Sequence, residues 1–376
     1  MSQPISEENF FFFLFLFWII LYGLGRIFDF EKHGLKILPG FLMYRSKRLK
    51  RLLDSMSKRW RRLWMILSNV GLALAFGLMA FGIYFLVDGI LKLTYTPEVA
   101  SPVVLTVPGV TIQLYWLPYF FVAVAIVAIT HELAHGIVAL SEGIPVKSAG
   151  LFSALVFFGG FVEPDKEGFE KSSVASKVRT VCAGSSANLV TCFLVMLLMT
   201  SLFAQTGGVL IYETIENGPV DRAGLQRWDA IYAINGSRIL TTQDFQNYMA
   251  KVTPSQTLIL ETNKGNKTIV TQAFENRTII GIRAVDYYPS RLGLDHSTTI
   301  NLYWTLSWTQ LIALSAAVFN MLPIYTLDGD KLVQSILERV LKKWANEARV
   351  LVNVAFFGLL AANIILSFIK YGLVSI

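Results

Sequence analysis

The chain has 376 residues, 54% of them hydrophobic and 16% charged, with a formal net charge of +7. A soluble domain of this size needs more charge to cover its surface, so lipid must be the solvent for much of it. The only two cysteines, Cys182 and Cys192, stand ten positions apart in one apolar run, about 15 Å along a helix, which excludes a disulfide framework or a cysteine metal site.

The first apolar run, residues 10–27, follows a start that holds Glu7 and Glu8 and no basic residue. A cleaved signal peptide begins basic, so this run is expected to be a retained anchor. Residues 26–62 then carry twelve Lys/Arg against Asp29, Glu31 and Asp54, which makes this segment +9 and the rest of the chain −2. Between two spans such a block marks the cytoplasmic side and a lipid-facing surface rather than a nucleic-acid site.

Further runs at 63–91, 116–140, 178–203, 300–322 and 350–369 are each long enough to cross a hydrocarbon core of about 30 Å. The expected fold class is therefore an α-helical polytopic membrane protein with about six transmembrane helices. With the basic loop inside, every short loop obeys the positive-inside bias. The amino terminus and residues 207–295 then lie outside, whereas Lys147, Lys166, Lys171, Lys177, Lys331, Arg339, Lys342, Lys343 and Arg349 lie inside.

The third run contains His131-Glu132-Leu133-Ala134-His135, and the chain has four histidines in all. Two histidines four apart on a helix share one face and can reach one Zn²⁺. Glu132 beside them is suited to take a proton from water as general base. Ionisable groups inside a span are costly and default to function. His33 and His296 have no such neighbours and are expected at the surface or an interface.

A catalytic zinc needs a third protein ligand. Glu163, Glu167 and Glu170 are candidates in a charged loop. Asp328, at the cytoplasmic end of the fifth run, lies at the depth of the histidines, and that matching depth favours it.

These residues resemble the site-2 protease family of intramembrane zinc proteases. Its three signatures occur in order: His131–His135, then Ala183-Gly184-Ser185-Ser186-Ala187-Asn188, then Asn320-Met321-Leu322-Pro323 running on to Leu327-Asp328-Gly329. The resemblance covers roughly residues 115–370. It implies His131, His135 and Asp328 as ligands of one Zn²⁺ per chain and Glu132 as catalytic base. It makes Asn188 and Asn320 candidates for orienting substrate or steadying an oxyanion, with helix–helix hydrogen bonding as the alternative. Residues 150–162 resemble the family's re-entrant hairpin, where a strand edge around Gly160 and Phe161 holds an unwound substrate.

Residues 207–285 change to short β-rich runs at 209–215, 229–234, 257–261 and 267–274, with turns at Asn235-Gly236 and Lys264-Gly265-Asn266. Thr241 with Asp244 marks a helix start. The pattern resembles a small extracytoplasmic α+β PDZ-like domain, with Trp228 where glycine is usual. Its expected peptide-binding edge is 209–212, faced by Phe245 and Met249, for a peptide or chain end, with a structural plug that limits access by bulk as the alternative. Asn235, Asn266 and Asn276 fit the glycosylation pattern.

The expected organisation is thus an anchor and basic loop (1–62), a second span and outer loop (63–115), a catalytic core in two parts (116–206 and 291–376) and the PDZ-like insertion (207–290). The implied function is hydrolysis of single-span membrane proteins, already trimmed outside, near the cytoplasmic edge of the bilayer. Two alternatives remain open at the sequence level. One is a membrane-anchored quality-control metalloprotease with a glutamate as third ligand. The other is a non-catalytic PDZ-bearing scaffold.

Overall fold

The computed structural model describes residues 7–155, 157–275 and 277–374. The chain divides into two compact units, residues 1–195 with 307–376, and residues 196–306.

The first unit opens with α1 (Glu7–Ile27), β1 (Leu35–Leu38), β2 (Phe41–Arg45) and α2 (Lys47–Arg59). The long helices α3 (Arg61–Tyr95) and α4 (Leu117–Ser141) follow. Next come β3 (Val146–Ala154), β4 (Phe157–Pro164), a short α5 (Lys166–Lys171) and α6 (Val174–Leu202). Among the described residues five helices are long and apolar enough to cross a membrane: α3, α4 with its preceding turn, α6, and two near the carboxyl terminus. The sixth expected run is α1, whose described apolar stretch, Phe12–Ile27, is shorter than these.

Residues 26–62 hold more structure than a basic loop. Pro39-Gly40 turns the chain between β1 and β2, with Leu38 opposite Phe41 and Gly40 at φ 71°, the conformation that a Pro-Gly turn requires. β2 pairs with β3 and β3 with β4, giving a four-stranded antiparallel sheet in the order β1-β2-β3-β4. The segment expected as a re-entrant hairpin is thus one half of a larger sheet. The Trp18 indole of α1 donates to the Leu155 carbonyl at the hairpin tip, 3.1 Å away.

α2 starts at Ser46, whose hydroxyl accepts from the Leu49 N–H at 3.2 Å. Leu49, Leu53 and Met56 recur at helical spacing and pack with Ile137, Leu140, Ala149 and Val162. The basic helix is thereby fixed against α4 and the sheet.

The second unit contains β5 (Val209–Thr214), α7 (Pro219–Arg222), β6 (Ala230–Ile234), β7 (Ser237–Arg238) and α8 (Thr242–Met249). It continues with β8 (Thr257–Thr262), β9 (Gly265–Val270), β10 (Gln272–Phe274), β11 (Arg277–Ile279) and β12 (Ile282–Asp286). The main sheet runs β12-β5-β6-β8-β9, with β7 on β6.

Thr241 and Asp244 form a capping box at the start of α8. Residues 209–212 are not an edge, because β5 pairs with β12 on one side and β6 on the other. Phe245 and Met249 pack into the unit's core rather than facing an open groove. Trp228 takes φ 73°, the left-handed conformation that glycine would supply, so the turn survives the substitution at a strain of about 1–2 kcal/mol. His296 donates from Nε2 to the Trp228 carbonyl at 2.7 Å and lies against Tyr287. The Asn235 side-chain oxygen accepts from the Ile259 N–H. Asn276 and the His33 side chain lie outside the described residues.

The chain re-enters the first unit through α9 (His296–Asn320) and ends in α10 (Asp328–Val340) and α11 (Ala345–Tyr371). Two buried clusters fix the helices around the site. Val127 of α4, Cys192 of α6 and Ala313 of α9 form one. Ala75 and Leu78 of α3, Val181 and Cys182 of α6, Met321 and Leu332 form the other. Polar groups add ties at depth: Ser186 donates to the Gly71 carbonyl, and Asn363 to that of Leu86, the kind of contact that joins helices where hydrophobic burial offers little.

Candidate metal centre and active site

His131 and His135 lie one turn apart on α4, and Asp328 is the first residue of α10. The three side chains converge. Asp328 Oδ2 stands 3.2 Å from His131 Nε2 and 3.1 Å from His135 Nε2, and the two Nε2 atoms are 3.1 Å apart. Tetrahedral zinc with bonds of about 2.0–2.1 Å separates its ligand atoms by about 3.3 Å, so the spacing fits. The side chains are 11%, 13% and 8% exposed. Three lone-pair donors turned onto one shielded point are suited to hold a cation between them.

The surroundings fit the same group. His135 Nδ1 is 2.7 Å from the Thr180 carbonyl oxygen, which can only accept. A proton is therefore on Nδ1, and in the neutral ring Nε2 keeps its lone pair. His131 Nδ1 lies 3.0 Å from the Asn188 amide nitrogen, while Asn188 Oδ1 is buried with no partner. Amide oxygen and nitrogen are assigned by their networks. Exchanging them satisfies Oδ1 with the Nδ1 proton and frees His131 Nε2 as well.

Gly184 of α6 makes room for the pair. A Cβ there would stand 2.5 Å from His131 Nε2 and closer still to His135 Nε2. The gap is a cradle that any side chain would fill.

Asp328 is delivered by a compact turn. α9 ends at Asn320, and Thr326 takes φ 79°, a conformation that β-branched residues rarely adopt. Gly329 lets the start of α10 close onto the Met321 and Leu322 carbonyls, where a Cβ would collide. The second oxygen of Asp328 accepts from Lys331 Nζ at 3.2 Å, leaving Oδ2 to face the histidines. Two residues on, Asp330 is fully buried. Its carboxylate accepts from Arg349 Nε at 2.8 Å and Nη2 at 2.5 Å, and from the Asn353 amide at 2.8 Å. This clamp ties the first turn of α10 to α11.

Glu132 stands next to the cluster without joining it. Its Oε2 accepts from the Val162 N–H of β4 at 3.0 Å. Gly160 packs directly on α4: a Cβ there would lie 3.3 Å from Ile129 Cα and 3.7 Å from Glu132 Cβ. Gly160 and Phe161 line a cavity together with Glu132. Among the described residues β4 pairs on one side only, with β3.

The other candidates fall elsewhere. Glu163 accepts from Ser148, Glu167 pairs with Lys171, and Glu170 pairs with Lys177. His131, His135 and Asp328 form the metal-compatible cluster among the described residues. Asn188 meets His131 rather than an open space, and none of the described hydrogen bonds joins Asn320 to the cluster. Thr180, Lys331, Asp330 and Arg349 carry no motif that marks them in the sequence. Gly184 sits inside the quoted Ala183–Asn188 signature, but its role is visible only in space.

Residues 119–363 match peptidase family M50. An uncharacterized protein of Methanocaldococcus jannaschii is 28% identical over 325 residues, 84% of this chain and 81% of that protein. A membrane-bound transcription factor site-2 protease homolog of Arabidopsis thaliana is 33% identical over 87 residues, 23% of this chain and 17% of that protein. A Clostridium perfringens protein described as a zinc metalloprotease is 21% identical over 303 residues, 61% of this chain and 89% of its own length.

Proposed function

This chain belongs to peptidase family M50 and is an integral membrane zinc metalloendopeptidase, and from that premise we propose that it cleaves membrane-spanning proteins near the cytoplasmic side of the bilayer, in regulated intramembrane proteolysis. The observation that carries the reading is the meeting of His131, His135 and Asp328 beside Glu132, from helices 193 residues apart in sequence.

In this reading His131 and His135 each offer an Nε2 lone pair and Asp328 offers Oδ2, holding one zinc ion per chain. When bound, zinc supplies Lewis acidity to a water and to the scissile carbonyl. Glu132 takes the proton of that water and passes it to the departing amine. A helix exposes no backbone to attack, so the substrate unwinds first. The free edge of β4 at Gly160 and Phe161 then holds it as an added strand. Asn320 is kept as the candidate for steadying the oxyanion, and Asn188 is assigned to His131.

The basic segment 26–62 sets the cytoplasmic side by the charge bias, which puts the amino terminus and the β-rich unit outside. The partners are single-span proteins, already trimmed outside, in a lipid bilayer, with no role for nucleic acid. The β-rich unit, PDZ-like in sequence, screens substrates. Because β5 is paired on both sides, capture of a peptide or chain end at 209–212 requires β12 to leave first.

The test pairs Glu132→Gln with wild type on a truncated single-span substrate. The variant is expected to keep its zinc and to cleave at least about 100-fold more slowly, the scale of a lost general base. Equal cleavage by both would refute the mechanism.

A further inference from the structure

A cavity of about 230 Å³ adjoins Glu132. Its walls come from parts of the chain far apart in sequence: Tyr44 of β2, Leu49 of α2, Ile129 and Leu133 of α4, Leu151 of β3 and Phe161 of β4. Apart from Glu132 and the hydroxyls of Ser46 and Tyr44, no polar side chain among the described residues lines it. Two wall positions, Gly150 and Gly160, contribute no side chain, and each is pressed against its neighbours, Gly150 on the Tyr44 carbonyl and Gly160 on Ile129 of α4. Tyr44 and Leu151 are exposed, so the cavity opens outward rather than being sealed.

An apolar cavity of about 150 Å³ suffices to bind benzene, so this one has room for a leucine or phenylalanine side chain. Glu132, the general base in the reading above, is one of its lining residues. A strand laid along β4 sends alternate side chains to opposite faces. One of those flanking the scissile bond is thereby directed toward α4 and this space.

We propose, resting on the proteolytic reading, that this cavity is a specificity subsite taking one large apolar side chain of the substrate, next to the bond that is cut. Leu49 and Tyr44, from a segment ahead of the catalytic helix, then act as specificity-determining residues. The basic amphipathic helix α2 has a second role here: it carries a wall of the site.

The test uses the full-length protein in proteoliposomes and a single-span substrate whose cleaved bond has been mapped by mass. Residues within four positions of that bond are set one at a time to Ala, Leu or Phe. A hydrophobic pocket distinguishes neighbours in size by about tenfold or more, so at one position next to the bond Leu or Phe is expected to exceed Ala by about tenfold in kcat/KM. Leu49→Trp, which fills the space, should reverse that order at the same position only. Leu49→Ala should shift it toward Phe over Leu. Bound zinc is measured in each variant, and the Leu49→Ala arm stands if Leu49→Trp does not fold. Zinc-dependent cleavage with no size preference, or with one profile shared by wild type and both variants, overturns the subsite and leaves the proteolytic reading intact. Cleavage unaffected by Glu132→Gln overturns the proteolytic reading, and the subsite with it.

Discussion

Replacing Asn188 by Leu removes the one side chain that meets the outer nitrogen of His131. Asn188 is 1% exposed, and its Oδ1 has no other partner, so the amide has no competing role among the described contacts. With Oδ1 accepting from Nδ1–H, the imidazole is held as the tautomer whose Nε2 can bind metal. Leucine is close in volume, so the packing of α6 against α4 is largely kept. Without the acceptor, His131 must hold its proton against an apolar wall and loses both orientation and basicity.

Losing such a support to a metal ligand costs 10–100-fold in metal affinity, which is about 1.4–2.7 kcal/mol at 1.36 kcal/mol per decade. Competition with a chelator on the purified protein measures it directly. Asn188→Asp separates the two amide orientations, because a carboxylate can only accept. If Oδ1 faces His131, the Asp variant keeps zinc affinity within a few-fold of wild type. If the NH₂ group faces it, the proton sits on Nε2 in wild type, and the Asp variant, by drawing it to Nδ1, gains zinc affinity. A zinc affinity unchanged in Asn188→Leu, with kcat/KM lowered, would refute the assignment and return Asn188 to the substrate-orienting role that the sequence alone suggests.

Gly184→Ala is expected to lose bound zinc altogether, because the added carbon lies 2.5 Å from His131 Nε2; metal content by atomic absorption checks this, with Glu132→Gln as the zinc-retaining control. Arg349→Met leaves Asp330 buried with only Asn353 to answer it. Removing one partner of a buried ion pair costs about 3–5 kcal/mol, so thermal unfolding should fall by several degrees, with zinc affinity falling too as the first turn of α10 loosens. The same pair sets a pH dependence. Burial raises the Asp330 carboxyl, but the Arg349 and Asn353 hydrogen bonds outweigh it and hold it below its ordinary value. Its contribution is therefore complete above the unfolded pKa of about 3.9 and is lost as pH falls through the lower folded value. Unfolding followed from pH 7 to pH 3 should show that loss in wild type and not in Asp330→Asn.

The motif at 131–135 was legible because two histidines at helical spacing need no tertiary information to share a face. Asp328 was legible for a different reason: the distribution of Lys and Arg orders the spans, and the order brings two polar clusters to one depth. The sheet was only half legible. Residues 150–162 are too short to span and read as a hairpin through the family resemblance, but β1 and β2 were hidden inside a segment dominated by its charge. Pro39-Gly40 between two apolar tetrads is a turn signal of ordinary strength, and Leu49, Leu53 and Met56 after Ser46 are a capped amphipathic helix. Charge answers which side of the membrane a segment lies on. It does not answer what the segment's apolar face packs against. The expectation at 209–212 failed on a similar point, since nothing local in β5 announces that β12, some seventy residues later, will pair with it. What remained out of reach were the contacts that make a motif into a site: the Thr180 carbonyl on His135, the space left by Gly184, and the Asp330–Arg349 clamp behind Asp328. Each is set by the approach of one helix to another, and the approach is fixed by packing across α3, α6, α9 and α10 rather than by any one of them. The histidine pair is therefore a property of short sequence and Asp328 of the order of the spans, whereas the geometry of all three is a property of the bundle, and substitutions in those clusters are expected to reach the site through position without touching it.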